Sequence, residues 1–300
     1  MPIFSHKSAY TKALAFFTFI ALLLTCSSAF AGSPQPWGLN LQEPGSPVER
    51  QIHDFHDVLL WIISLITLFV LGLMIYVMVR YNKWTNPTPT MTTHNVKLEI
   101  VWTLLPCLIL IGISLISFPL LYYADRLPEK VDLTLKVTGH QWYWSYEYPD
   151  NGNVAFDSHG IWDSSAVTAE QAAKLISESS GGWLIKGEPK RLLEVDNRVV
   201  LPVNAVVRVQ IAAGDVEHSW FMPALGVNQM AVPGRLNEVW LKVDKEGLYY
   251  GQCSMICGNG HGYMPIVIEA VSKEKFDAWV KSKQTSVGAI APTTQFAAIH

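Results

Sequence analysis

Between Gly251 and Pro265 the chain reads Gly251-Gln252-Cys253-Ser254-Met255-Ile256-Cys257-Gly258-Asn259-Gly260-His261-Gly262-Tyr263-Met264-Pro265. Cys253, Cys257, His261 and Met264 follow one another at intervals of four, four and three residues. Thiolate, imidazole and thioether are soft ligands, a set that suits copper. One Cys, one His and one Met on a loop would describe a mononuclear copper site. A second thiolate four residues away can instead bridge two copper ions, and a further His is then needed from another loop. His218, in Asp215-Val216-Glu217-His218-Ser219-Trp220, is the candidate.

Other chemistries account for less of this pattern. Cys253 and Cys257 could form a disulfide in an oxidising compartment, but that leaves the His and Met of the same Gly-rich loop without a purpose. Structural zinc uses closer Cys pairs and does not recruit Met. Covalent haem attachment needs Cys-x-x-Cys-His, which the chain lacks. His140, His159 and His300 have no metal-like neighbours and read as ordinary polar residues. Cys107 lies inside an apolar run and reads as packing.

The elements that would carry this loop divide the chain unevenly. The 300 residues are 50% hydrophobic and 16% charged, with a mean hydropathy of +0.21, which excludes disorder. A net charge of −3 gives no basic stripe for nucleic acid, and four Cys do not make a disulfide scaffold. Residues 1–31 read as an export signal: Lys7 and Lys12 precede an apolar run from Ala13 to Leu24, and Ala29-Phe30-Ala31 is a small-x-small cleavage site. Cys26 could mark a lipoprotein box, but Thr25 is a poor residue before a lipidated Cys. Residues 32–57 then form an extracytoplasmic segment.

Val58–Val79 and Ile100–Tyr123 carry no charge. As helices they span roughly 33 and 36 Å, enough to cross a bilayer. Pro106 and Pro119 are tolerable in such helices. The loop between them carries Arg80, Lys83 and Lys97, whereas 32–57 carries only Arg50, so the loop faces the cytoplasm and both flanking segments lie outside. Beyond residue 124 strand signals dominate: alternation over Val131–Val137, Val-rich Val199–Ile211 broken by Pro202, Val239–Val243 and Pro265–Val271. The expectation is a two-helix membrane hairpin (spans 58–79 and 100–123) followed by a Greek-key β-sandwich or barrel over 124–283. Residues 150–190 read as a polar insertion with a short helix near Ala169–Ile176. A last helix near Lys273–Lys281 is capped by Ser272, and 284–300 reads as a flexible tail.

At this point the chain resembles subunit II of the haem–copper cytochrome c oxidases, of the bacterial type with a signal peptide. The resemblance covers nearly all of the chain after residue 31. It rests on Thr138-Gly139-His140-Gln141-Trp142-Tyr143-Trp144-Ser145-Tyr146-Glu147-Tyr148, Leu193-Glu194-Val195-Asp196-Asn197-Arg198, Val232-Pro233-Gly234-Arg235-Leu236-Asn237 and the Cys loop. It implies a cupredoxin-like domain in the periplasm, anchored in the inner membrane, holding the dinuclear copper centre CuA. Cys253 and Cys257 would bridge the coppers, His218 and Met264 would complete one, and His261 with the backbone carbonyl of Met255 the other. Trp142 matches the surface tryptophan where electrons arrive from cytochrome c. Glu147, Asp196 and Asp215 match a docking face for that lysine-rich donor, and Glu217 is a neighbouring candidate. Glu99 matches a carboxylate at the mouth of a proton pathway that continues in subunit I. The implied partners are subunit I with its haem and CuB, subunit III, cytochrome c and the lipid bilayer.

Two positions depart from the family pattern. Met255 stands where the family usually has Glu, and Met230, in Val227-Asn228-Gln229-Met230-Ala231, where it often has Asp. Those carboxylates surround a magnesium ion at the subunit I interface, and Met is a poor ligand for a hard cation. The expectation is that this magnesium site is lost or supplied by subunit I alone, while the backbone carbonyl of Met255 still serves copper. A quinol oxidase subunit II would lack the copper ligands, and a nitrous-oxide reductase is a much larger soluble enzyme. A stand-alone membrane copper carrier remains the binding-module alternative.

Overall fold

A computed structural model describes residues 32–88, 90–161 and 190–288, with side chains to 284. The expected export signal, the short helix near Ala169–Ile176 and His300 lie outside the described residues. Two long helices come first, α1 (Pro47–Arg80) and α2 (Val96–Asp125), and both are apolar enough to cross a membrane. Each is longer than its uncharged run because polar and charged residues extend the helix beyond the apolar stretch, chiefly 47–57 in α1 and 96–99 in α2. Ser46 caps α1: its hydroxyl accepts from Glu49 N at 3.0 Å and donates to Leu225 O at 2.8 Å. Asn95 caps α2 through Leu98 N at 3.2 Å.

Ten strands follow: β1 (Leu133–His140), β2 (Tyr143–Tyr148), β3 (Val154–Ser158), β4 (Val199–Pro202), β5 (Val207–Ala213), β6 (His218–Met222), β7 (Val227–Ala231), β8 (Asn237–Leu241), β9 (Gly247–Cys253) and β10 (Pro265–Val271). They form two five-stranded sheets, ordered β3-β2-β1-β5-β8 and β4-β10-β9-β6-β7. The pairs β1–β5 and β4–β10 are parallel and the remaining pairs antiparallel, so the chain crosses repeatedly between sheets in a cupredoxin-like Greek-key sandwich. Leu135, Val137, Trp144, Tyr146, Val209 and Ile211 from one sheet meet Leu201, Trp220, Met222, Ile266 and Ile268 from the other. Tyr148 ties the sheets together: its hydroxyl donates to Val200 O at 3.0 Å and accepts from Val200 N at 3.1 Å.

The break expected at Pro202 is found: Val199–Ile211 is two strands, in different sheets, because Pro202 ends β4 and the following turn, with Asn204 at φ +62°, throws the chain across the sandwich. Two sequence expectations need correction. The 150–190 insertion starts too early, since β3 lies within that range and pairs with β2 from Trp144↔Ser158 to Tyr148↔Val154. The tail does not begin at residue 284: helix α3 (Lys273–Gly288) continues through that point, and Gln284 Nε2 donates to Asn151 O at 2.8 Å.

The domain-side ends of the hairpin are stitched to the sandwich. Gly45 N donates to Ala224 O at 2.7 Å, Asp244 N to Gly45 O at 3.0 Å, and Trp240 Nε1 to Tyr123 O at 3.2 Å; Arg50 pairs with Asp244. Helix α3 packs on the sandwich through its aromatic face, where Trp279 and Phe276 meet Tyr148 and Trp279 also meets Phe156. Trp279 is 1% exposed. Replacing it by Ala removes a packed indole and should lower domain stability by about 3–5 kcal/mol, read as a fall in the denaturation midpoint. An unchanged midpoint would show that α3 is not part of the cooperative unit.

Candidate metal centre

The Cys loop is held at one end of the sandwich by strand pairing. Trp220 of β6 lies opposite Cys253 of β9, which brings His218 and Cys253 to the same corner. Cys253 N donates to Met264 O at 3.3 Å and Ser254 N to Ser219 O at 3.2 Å. Between them the loop doubles back through His261 N to Gly258 O at 3.1 Å and Tyr263 N to Gly260 O at 2.9 Å. Gly258 has φ +117°, a backbone conformation that a side chain would strain.

This corner gathers the sulfurs. Cys253 Sγ lies 3.9 Å from Cys257 Sγ and 3.2 Å from the carbonyl oxygen of Met255. Cys257 Sγ lies 3.5 Å from Met264 Sδ and 3.6 Å from His261 Nδ1. A ring nitrogen of His218 and the two cysteine sulfurs all fall within 4.8 Å of one another. His218, Cys253, Cys257 and Met264 are buried, and His261 sits half-buried at the rim. Both cysteines are free thiols.

The electrostatics favour a cation between the sulfurs. Burial opposes a Cys253 thiolate, but contacts with His218 and with the backbone at Ser219 and Met255 outweigh it and bring its pKa down to about 7. Burial pushes Cys257 up to about 12, and the negative charge of Cys253 adds to that rise. The second proton therefore leaves only when positive charge arrives, as a metal supplies. His218 Nδ1 is buried without a hydrogen bond, an orphaned donor atom on the ring that faces this cluster. Two thiols, a thioether, imidazoles and one carbonyl match copper in softness and are poor for calcium or magnesium.

Asp215 holds His218 from behind. Its Oδ1 lies 2.9 Å from His218 Nε2 and accepts from Val216 N at 2.6 Å, while Oδ2 accepts from Gln141 N at 2.7 Å. Burial resists the Asp215 carboxylate, yet these hydrogen bonds lower its pKa below the ordinary value. A carboxylate on Nε2 leaves Nδ1 free to face a metal. The sequence singled out Asp215 for docking; the Asp-x-x-His spacing was the available sign of this further role. Gly139 was missed altogether. It lies under the imidazole, and a Cβ there would come 2.9 Å from His218 Cδ2.

Trp142 covers the loop. Its Nε1 donates to Cys257 O at 3.2 Å, and Gln141 Nε2 donates to the same oxygen at 2.9 Å. The indole is 37% exposed, so one edge meets solvent while the ring is bonded to the backbone of Cys257. A Cβ at Gly260 would lie 2.3 Å from Trp142 Cδ2, which explains why the loop is small there. The remaining residues singled out by sequence are dispersed. Glu147 pairs with Lys136 at 3.3 Å, and Asp196 Oδ1 accepts from His159 N and Asn197 N, both at 2.7 Å. Glu217 is exposed beside Asp215. Glu99 is not brought to this corner: it lies in the first turn of α2, and the sandwich begins beyond the other end of that helix, about 39 Å away along its axis.

Comparison with known proteins agrees in both parts of the chain. Residues 133–271 match the family described as cytochrome c oxidase subunit II, periplasmic domain, and residues 34–120 match its transmembrane domain. A probable cytochrome c oxidase subunit 2 from Rickettsia bellii (strain RML369-C) is 48% identical over 266 residues, covering 89% of this chain and 91% of the relative. Cytochrome c oxidase subunit 2 of Cereibacter sphaeroides is 42% identical over 253 residues, covering 83% and 82%. Among solved structures, the periplasmic domain of cytochrome oxidase subunit II from Bradyrhizobium japonicum is 43% identical, covering 54% of this chain and 99% of that one, with a TM-score of 0.44.

Asp215→Ala and Gly139→Ala test the support of His218. Each should weaken copper binding by about ten- to a hundredfold, as removal of a metal ligand's orienting partner commonly does, measured by competition with a copper chelator. Unchanged affinity in both variants would show that His218 is placed by β6 alone.

Proposed function

The chain belongs to the cytochrome c oxidase subunit II family, and from that premise we propose that it receives electrons singly from cytochrome c at a dinuclear copper centre. They then pass to the haem of subunit I for proton-pumping reduction of oxygen to water. The observation that carries this reading is the buried cluster of His218, Cys253 and Cys257, with Met264 Sδ 3.5 Å from Cys257 Sγ, in a chain with two apolar helices. Cys253 and Cys257 would hold both coppers, His218 and Met264 one of them, and His261 with the Met255 carbonyl the other. When bound, two coppers held by both cysteines would supply a one-electron carrier whose charge is spread over both metals, with little change in bond lengths.

The protein's own part is to fix and shield. The sandwich presents the ligands before metal binds, so little reorganisation is left for each transfer. Asp215 holds the His218 tautomer, and the strands around Trp144 and Trp220 exclude water. Trp142 offers an exposed aromatic edge hydrogen-bonded to the Cys257 backbone, which supports its role as the point where electrons arrive. Asp215 and Glu217, exposed side by side next to His218, with Glu147 and Asp196 elsewhere on the domain, would add acidic charge that attracts a lysine-rich donor. The chain sits in the bacterial inner membrane, its export signal (1–31) removed and its sandwich in the periplasm, beside subunits I and III. Glu99 then lies at the cytoplasmic end of α2, where it opens a proton path into subunit I.

The interfacial magnesium site is absent from this subunit's side. Met255 and Met230 supply no carboxylate, and the Asn228 Oδ1 between them is taken by the hydroxyls of Ser219 at 2.7 Å and Ser254 at 3.0 Å. Oxidase from cells grown in manganese should therefore show either no bound-manganese spectrum or one that Met255→Ala and Met230→Ala leave unchanged; a spectrum that these substitutions alter would contradict this assignment.

Rapid mixing of ferrocytochrome c with the purified oxidase tests the whole reading. The expected result is two coppers per chain and an electron-transfer rate constant that falls roughly tenfold or more between low salt and a few hundred millimolar, as steering is screened. Trp142→Ala should slow transfer while leaving the copper content unchanged. A rate insensitive to both salt and Trp142, or a chain carrying one copper, would favour the copper-carrier reading.

A further inference from the structure

A cavity of about 590 Å³ opens where the end of α2 meets the sandwich. Its walls include Tyr122, Tyr123 and Arg126 from the hairpin and Val206, Trp240 and Lys242 from the domain. Trp240 is 5% exposed and forms a fixed back wall: its Nε1 donates to Tyr123 O at 3.2 Å and its ring meets that of Tyr123 edge-on at 5.5 Å. Arg126 lies over the Tyr122 ring at 4.8 Å. The lining holds two cations and no carboxylate, and neither Arg126 nor Lys242 forms an ion pair among the described residues.

The level of this cavity identifies its occupant. The uncharged run of α2 ends at Tyr123, so Tyr122 and Tyr123 stand at the boundary between hydrocarbon and headgroups, where tyrosines collect. Pro119 lines the lower edge and continues into the exposed apolar surface of α2. A ligand here meets cations above and an apolar helix face below. We propose that this cavity binds one anionic phospholipid from the leaflet on the domain's side. The headgroup phosphate is held by Arg126 and Lys242, and the acyl chains follow the α2 surface past Pro119. Arg and Lys donate charge-assisted hydrogen bonds to phosphate oxygens, with Arg able to do so bidentately. The proposal does not depend on the copper reading; it needs only that α2 spans the bilayer.

The full chain, purified in detergent and exchanged into phosphatidylcholine bilayers containing one fifth phosphatidylglycerol, provides the test. Native mass spectrometry after mild delipidation reads the lipid that stays. The wild-type chain should retain one phosphatidylglycerol that the Arg126→Gln/Lys242→Gln chain loses, with phosphatidylcholine retention equal in both. Both side chains are outside the core, and an unchanged denaturation midpoint checks that the variant is folded. Displacement of the retained species by millimolar inorganic phosphate would overturn the lipid assignment in favour of a free-anion site. Equal phosphatidylglycerol retention by both chains would overturn it outright.

Discussion

The sulfurs of Cys253 and Cys257 lie 3.9 Å apart in a buried corner, and ionising both there sets two negative charges against each other with little solvent to screen them. The rest of the site follows from that constraint. Contacts from His218 and nearby backbone outweigh burial at Cys253 and bring its proton off more easily, while burial, reinforced by the negative charge of Cys253, makes Cys257 resist. Positive charge relieves the conflict, and the nearby thioether, imidazoles and carbonyl favour a soft cation. A loop free to move would separate the sulfurs; pairing of β9 with β6 and β10, and the Trp142 and Gln141 bonds to the Cys257 carbonyl, prevent it.

Rigidity on this scale needs a scaffold larger than the loop. Buried aromatics supply it, several with a polar atom engaged across the core: Trp144 Nε1 donates to Met264 O at 3.3 Å, Trp220 Nε1 meets the Tyr146 hydroxyl at 3.4 Å, and Tyr148 bridges to Val200. The first of these couples the core directly to a copper-ligand candidate. The same logic explains the glycines: Gly139 and Gly260 are small because His218 and Trp142 occupy the space where their side chains would be.

Much of this was legible in the sequence, for reasons that are physical. Cys, Cys, His and Met on one loop carry their chemistry wherever the loop goes, and two uncharged runs long enough for a bilayer admit few other readings. Strand β1 announces itself through its alternation of Leu133, Leu135 and Val137 with polar residues, and β10 through a continuous apolar run rich in Val and Ile. Strands β6, β7 and β9 do not, because Ser219, Asn228, Gln229 and Gly251 break the pattern and only pairing with neighbours defines them. The division of Val199–Ile211 between two sheets, the Asp215–His218 bond and the close approach of Gly139 to the imidazole are contacts between distant segments, which periodicity does not encode.

The central claim is that the two thiols are shared equally between two copper ions. The electron paramagnetic resonance spectrum of the purified, copper-loaded chain tests it directly. One unpaired electron spread equally over two copper nuclei gives a seven-line hyperfine pattern, and that is the predicted result. A four-line pattern would place the electron on a single copper and contradict the shared centre.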